Sequence, residues 1–162
     1  MSADIFLKLD GIEGESKDSK HPNEIQLQSF SWGASNPHSA AEGTGHGVGK
    51  VSVQDLHFTK YIDKVSPKLF LHCAIGGHIN KGTLVARKAG KDQQEYLKVS
   101  LDEVIVTSYQ LGDSNGTDGQ LPMEQVSLSF AKVEVDYKPQ QKDGTLGGSV
   151  KAHWDAKTNK GG

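Results

Sequence analysis

The chain has 162 residues, of which 35% belong to the AVILMFWYC set, and glycine adds 19 more residues. This apolar share is close to that of a folded globular domain, so a largely disordered chain is excluded. Eighteen basic residues against 20 acidic ones give a net charge of −2, which argues against a nucleic-acid-binding protein, and a single cysteine excludes an intramolecular disulfide.

Apolar residues recur mainly with a period of two along the chain, a pattern typical of half-buried strands. Several of these strands change phase midway. In residues 24–32, the apolar residues first fall at odd-numbered positions, Ile25 and Leu27, and then at even-numbered positions, Phe30 and Trp32. A bulge, or a strand that leaves one sheet for another, would produce this change. The predicted strands cover residues 4–9, 24–32, 50–59, 83–88, 94–110, 126–137 and 150–154.

One helix is predicted after the third of these strands. Ser66 can cap it, Pro67 suits its first turn, and Gly76 suits a left-handed stop. The residues between them are almost continuously apolar, with Lys68 and His72 as the polar exceptions. We therefore expect a largely buried helix that covers an open end or edge of the sheets.

Polar and glycine-rich segments separate the strands and indicate loops and turns. Residues 33–49 form the longest loop, and residues 89–92 suit a tight hairpin turn. Strands that swap faces need two packed sheets or a barrel. The pattern predicts a mainly β fold, either a small β-barrel or a β-sandwich, with one helix. We expect a single domain of residues 1–156, followed by a frayed tail of residues 157–162.

Sequence motifs for chemistry are missing. The glycine-rich stretch 43–50 fails the phosphate-loop pattern, because Thr44 stands where a glycine is needed and Val51 follows Lys50. The seven histidines lack the short spacings of a zinc site, and Cys73 fits a small buried hydrophobe. We predict no catalytic, metal-binding or cofactor-binding residues and no enzymatic activity.

Two further features bear on function. No apolar run approaches 18 residues, and residues 1–10 lack the basic start and apolar core of a signal peptide, so we expect neither a membrane span nor a cleaved leader. Trp32 and Trp154 could form a sugar-stacking platform, although core or interface aromatics are the simpler interpretation. They keep open an alternative, a monomeric ligand- or carbohydrate-binding β-module.

Five sequence blocks stand out along the chain: GESKD at residues 14–18, SFSWG at 29–33, GKVSVQDLHFTKYIDK at 49–64, RKAG at 87–90 and FAKVEVDYKPQ at 130–140. Together they resemble one protein family, the haemolysin-coregulated protein (Hcp) family, which supplies the tube protein of the bacterial type VI secretion system. The resemblance runs from about residue 4 to residue 154, and VQDLHFTKYIDK is its most specific part.

The resemblance implies a small β-barrel of two antiparallel sheets with one α-helix packed at the side, and an assembly rather than an enzyme. Members of the family form hexameric rings that stack into a tube, which a sheath surrounds and a spike protein caps. Contraction expels the tube, and small effectors travel in its lumen. The implied partners are therefore further copies of the chain, the sheath, spike and baseplate proteins, and effectors, without nucleic acid or membrane insertion. The implied location is the cytoplasm before firing, followed by secretion without a cleaved signal peptide.

Two sets of residues are candidates for this role. Because Phe30 and Trp32 are expected to face the core, Ser29 and Ser31 must point the other way, and we predict that they line the channel. In the glycine-rich loop, Gly43, Gly45, Gly47 and Gly49 are predicted to lie at a subunit or ring-stacking interface.

Overall fold

The fold was obtained as a computed structural model that describes residues 3–37, 51–88, 92–113 and 121–162. Within these ranges the chain forms twelve strands and one helix. The strands are β1 (Ala3–Leu9), β2 (Ile25–Leu27), β3 (Ser29–Ser31), β4 (Ala34–Ser35), β5 (Ser52–Val53), β6 (Leu56–Tyr61), β7 (His78–Lys88), β8 (Glu95–Gly112), β9 (Met123–Ser129), β10 (Lys132–Tyr137), β11 (Val150–Asp155) and β12 (Lys160–Gly161), and the helix is α1 (Ser66–Ile75).

Ten strands form one antiparallel sheet, and β4 and β5 form a second sheet of two strands. The main path of the large sheet runs β12-β11-β10-β8-β7-β1-β2. A second path branches from β8 through β9 and β6 to β3. The predicted mainly β fold, with two antiparallel sheets and one helix, is confirmed, although the two sheets are very unequal in size.

The phase changes read from the sequence mark places where the chain exchanges pairing partners. Strand β2 pairs with β1, but after Gln28 the same run of chain continues as β3 and pairs with β6. Strands β9 and β10 form one run interrupted at Phe130–Ala131; β9 pairs with β6 and β8, and β10 with β8 and β11. At each exchange, the side chains that face the core switch from one set of alternate positions to the other, as the alternation of apolar residues predicted.

The hydrophobic core lies inside the curve of the large sheet. It is built from aliphatic side chains at alternate positions of β1, β6, β7, β8 and β9, together with Phe58. The pairings run from β2 through β1, β7, β8, β9 and β6 to β3, and β2 and β3 are consecutive in the chain but do not pair with each other. The sheet therefore wraps around the core, and one face of each strand is left for solvent.

The helix differs from its prediction in two respects. Its N-cap is Val65 rather than Ser66, whose Oγ instead accepts a hydrogen bond from the backbone N–H of Asp63 at 3.0 Å. Pro67 lies in the first turn and Gly76 ends the helix with φ 65°, both as predicted. The helix is not largely buried: only Ser66 and Leu69 are, because a single side of it reaches the core.

The C-terminal residues are also more ordered than a frayed tail. Lys160 and Gly161 form β12, which pairs with Asp155 and Trp154, and Gly162 exchanges backbone hydrogen bonds with His153. A side chain on Gly161 would collide with the Trp154 ring and the neighbouring backbone, so the absent Cβ permits this pairing. The described part of the chain contains no helix long and apolar enough to cross a membrane.

Candidate functional site

A four-stranded part of the large sheet presents a surface of uncharged polar side chains. Strands β3, β6, β9 and the C-terminal half of β8 lie side by side here, and the register aligns their residues in rows across the strands. One row holds Ser29, Thr59, Gln125 and Gln110; the other holds Ser31, His57, Ser127 and Ser108. These eight residues are termed the polar face.

Strand geometry explains why the polar face exists. Successive side chains of a strand point to opposite sides, so a polar residue at every second position produces one polar side. The intervening row, Phe30, Phe58, Val126 and Tyr109, is turned towards the core. The same alternation therefore turns the apolar residues towards the core and the polar ones to the other side, where six of the eight are exposed, Thr59 is half-buried and Ser127 is buried.

Hydrogen bonds between strands hold the polar face together. The hydroxyls of Ser29 and Thr59 lie 2.6 Å apart, as do His57 Nδ1 and Ser127 Oγ. The face lines an open depression of about 420 Å³. None of its eight residues is Asp, Glu, Lys or Arg, so it offers hydrogen bonds to a bound molecule without a fixed charge, and His57 is its one ionisable side chain.

A charge cluster centred on a fully buried lysine–glutamate pair lies on the core side of the same strands. Lys60 Nζ donates hydrogen bonds to Glu124 Oε2 at 2.5 Å and to Asp63 Oδ1 and the Tyr61 carbonyl at 2.9 Å each. The side chains of Lys60 and Glu124 are completely shielded from solvent. The cluster also reaches the first turn of α1, because Lys60 Nζ lies 3.3 Å from Ser66 Oγ.

Tyr109 connects this cluster to the sheet. Its hydroxyl donates a hydrogen bond to Glu124 Oε1 at 2.5 Å. Burial, followed by the hydrogen bond to the Glu124 carboxylate, raises the pKa of Tyr109 well above its ordinary value. The neutral phenol thus serves as the donor that ties the middle row of the polar sheet to the buried Glu124 carboxylate.

A second polar cluster attaches the loop that follows β1 to the other side of the large sheet. The buried Arg87 side chain binds Asp18 and Asp4, and its guanidinium lies 4.8 Å from the centre of the Phe6 ring. The imidazole ring of His21 stacks on the Phe6 ring, with the two ring centroids 4.5 Å apart. The hydrogen bond from Arg87 holds the pKa of Asp18 well below its usual range. This cluster explains the order of the loop and is separate from the polar face.

The structure places Ser29 and Ser31 together on the polar face, both exposed. The other six members were not singled out from the sequence. The sequence does contain a pattern that could have indicated them, since each of the four strands carries two uncharged polar residues two positions apart. The pairing register that brings the four pairs together cannot be read from the sequence. The predicted interface glycines, Gly43, Gly45, Gly47 and Gly49, lie outside the described residues.

The two tryptophans considered for sugar binding have separate partners. Trp32 packs edge-on against Phe130, with ring centroids 6.5 Å apart, whereas Trp154 lies against Gly161. Both are partly buried against the hydrophobic core. Their positions match the simpler interpretation of core aromatics.

Comparison with known proteins gives the family. The model of the family described as "Type VI secretion system effector, Hcp" matches residues 6–137. The chain belongs to the Hcp family. It is 47% identical over 161 residues to Protein hcp1 of Pseudomonas aeruginosa, covering 98% of both chains. The resemblance carried by the sequence blocks is therefore confirmed, and with it the prediction of a secreted type VI secretion protein that is not an enzyme.

Solved Hcp structures share the fold along nearly the whole chain. A structure described as a type six secretion system protein superposes with a TM-score of 0.93 at 31% identity, covering 99% of this chain and 100% of the other. Hcp1 from Salmonella typhimurium superposes with a TM-score of 0.80 at 41% identity, covering 99% of both. The strands that carry the polar face thus belong to the fold that the chain shares with these structures.

Proposed function

We propose that this Hcp protein is the structural subunit of a type VI secretion tube, in which hexameric rings stack and the polar face lines the channel. The observation that carries the proposal is the pair of uncharged polar rows on one sheet. A channel wall must be wetted, yet it must not hold charged cargo too tightly to release it. Hydroxyl, amide and imidazole side chains meet both requirements.

The edges of the polar sheet support assembly with further copies of the chain. Among the described residues, β3 pairs only with β6, and β8 beyond Ile105 pairs only with β9. The sheet that carries the polar face therefore has an unpaired edge on each side. Unpaired edges invite pairing with another chain. Contacts between two different edges are heterologous, and such contacts close into a ring when the rotation between subunits permits it.

The remaining parts of the proposal rest on family membership. The stacked rings act inside a contractile sheath with a spike at the tip and a baseplate at the origin, and small effectors occupy the lumen. The protein assembles in the cytoplasm and leaves the cell when the sheath contracts, without cleavage of a leader. The glycine-rich segment with Gly43, Gly45, Gly47 and Gly49 contributes to the contacts between subunits or rings.

Native mass spectrometry of the purified protein tests the proposal. Six copies of a 17.5 kDa chain give a particle of about 105 kDa. Negative-stain images should show rings with a central opening. A species of 17.5 kDa at every concentration would contradict the proposal and would leave a monomeric binding module as the better account.

A further inference from the structure

His57 lies on β6, one of the two inner strands of the polar face. Ser31 of β3 is its neighbour on one side and Ser127 of β9 its neighbour on the other. The side chain of His57 is exposed, and it helps to line the depression of about 420 Å³. The other seven residues of the polar face are Ser, Thr and Gln, which do not ionise. The charge of this surface therefore depends on His57 alone.

The hydrogen-bond partner of His57 accommodates both protonation states of the ring. Nδ1 of His57 lies 2.6 Å from Oγ of Ser127. A hydroxyl donates to an unprotonated ring nitrogen and accepts from a protonated one, because its hydrogen rotates to suit. The contact therefore holds the ring in place whether His57 is neutral or positively charged. A proton can change the charge of the polar face without a rearrangement of the sheet.

The surroundings of His21 differ from those of His57. His21 is buried, and its Nδ1 and Nε2 lie 2.7 and 2.6 Å from carboxylate oxygens of Glu24 and Glu95. Carboxylates only accept hydrogen bonds, so they suit a ring that donates from both nitrogens. His21 therefore helps to attach the loop after β1. His57, with a neutral partner and an exposed ring, exchanges protons with solvent and with bound molecules.

The charged groups near His57 leave a proton on its ring uncompensated within the polar face. On its own side of the sheet, Asp55 precedes β6 and its Oδ2 accepts a hydrogen bond from Thr107 Oγ1 at 2.6 Å, and Asp113 follows the far end of β8. The titratable groups on the core side of these strands, which contact one another, are Lys60, Glu124 and Tyr109. Protonation of His57 therefore places one positive charge on a surface whose other members are uncharged.

A charged imidazole changes what the polar face can bind. Imidazole is the side chain whose ordinary titration falls between about pH 5 and pH 8. Hydrogen bonds from a charged donor to a carboxylate are roughly twice as strong as those between neutral groups. With Nδ1 held by Ser127, Nε2 is the donor that a carboxylate meets in the depression. In the proposed ring, six copies of His57 surround one lumen, so a flexible acidic segment can engage several of them together.

We propose that His57 makes the polar face a proton-dependent binding site for acidic peptide segments. The face holds carboxylates below about pH 6, where imidazole is mostly charged, and releases them above about pH 7. This inference rests on the proposed function, because it takes the polar face as the surface that meets cargo. It adds the chemical class of cargo that the face prefers and the condition under which the cargo is released.

Fluorescence anisotropy of a labelled peptide of alternating Glu and Ser tests the proposal, with sedimentation used to follow the rings at each pH. We expect the dissociation constant to be at least about fivefold lower at about pH 5.5 than at about pH 7.5. The glutamates of the peptide are ionised at both values. A peptide of alternating Gln and Ser should show no such difference. Equal affinity of the acidic peptide at the two pH values would overturn the proposal.

Substitutions assign the effect to one histidine. His57→Gln keeps a polar side chain and should bind the acidic peptide equally weakly at both pH values, whereas His57→Lys should bind it equally tightly at both. His153→Gln, at an exposed position of β11 outside the polar face, is the matched control and should keep the pH dependence of the wild type. A pH dependence that persists in His57→Gln, or disappears in His153→Gln, would contradict the assignment.

The two proposals fail in different ways. Rings of about 105 kDa that bind the acidic peptide without pH dependence would overturn the role of His57 and leave the tube subunit in place. Tighter pH-dependent binding of a short oligonucleotide would assign the site to phosphates and would also overturn the proposal. Wild-type protein that stays at 17.5 kDa at every concentration would overturn the proposed function itself.

Discussion

The side chain of Lys60 lies fully inside the molecule, although lysine is among the residues least often buried. It is tolerated because Glu124 and Asp63 both accept hydrogen bonds from its ammonium group. A buried ion pair adds little net stability, but removal of one partner leaves an uncompensated charge. The residues around Lys60 therefore depend on one another far more than surface charges do.

Substitution of Lys60 should show this dependence. Lys60→Met leaves the carboxylate of Glu124 buried without its cation, and we expect a loss of about 3–5 kcal/mol in the free energy of unfolding in urea. Lys8→Met, at an exposed position of β1, is the control and should change it by less than about 0.5 kcal/mol. The double variant Lys60→Met/Glu124→Gln should recover part of the loss. Equal effects of the two lysine substitutions would contradict this account.

Protonation of Asp18 should weaken the fold at low pH. Arg87 lowers the pKa of Asp18 in the folded state, so the stabilisation is present above the unfolded value of about 3.9 and is lost as the pH falls towards the folded value. Asp18→Asn should lower the thermal midpoint at pH 7. The difference from wild type should shrink as the pH falls below about 4. A difference that stays constant between pH 7 and pH 3 would exclude this role for Asp18.

Ser31 is the residue on which the assignment of the channel wall can be tested. Ser31→Trp fills part of the polar face without touching the core, since Ser31 is exposed and Phe30 takes the inward position. Rings of normal mass that retain less effector in co-purification are the expected result. Ser149→Trp, at an exposed loop position, should retain effector normally. Loss of the ring itself would place Ser31 at a subunit contact instead.

For single elements, the sequence predicts well where the strands and the helix lie. It predicts poorly which side of the helix meets the core and how the strands align with one another. The alternation in residues 24–32 indicated a change of partner, and β2 and β3 do pair with different strands. The helix was correctly located because Pro67 and Gly76 mark its ends. Its burial was wrong, because continuous apolar residues show what could be buried and not which side meets the core. Similarly, pairs of polar residues were visible in each strand, but their alignment depends on long-range register.

The end of α1 offers a clean test of backbone conformation. Gly76 has φ 65° and no atom near the place where a Cβ would be, so Gly76→Ala adds left-handed strain without a clash. We expect a loss of about 1 kcal/mol in the free energy of unfolding. Gly148→Ala is the matched control, with the same open surroundings and no positive φ, and should be nearly neutral. A neutral Gly76→Ala would mean that the helix ends for another reason.

For the whole molecule, the N-terminal strand links export to folding. Strand β1 pairs with both β2 and β7, and Ile5, Leu7 and Leu9 are buried. A form that had lost β1 would expose these residues and two unpaired edges, so it should not fold. Protein collected from culture medium should therefore retain β1 when its mass is measured, and its release should stop when the sheath is disabled. A shortened mature form, or release without a working sheath, would contradict the proposed route.

Strand β8 runs through 18 residues and takes part in both regions of the large sheet. Its first half is held by β7 and β10, and its second half pairs with β9 beside the polar face. The region around β7 and β10 and the polar face are thus joined by one extended backbone rather than by a loop. In mechanical terms, a pull along β8 is carried by covalent bonds from one region to the other, so within the tube proposed above the subunit should resist extension along this strand.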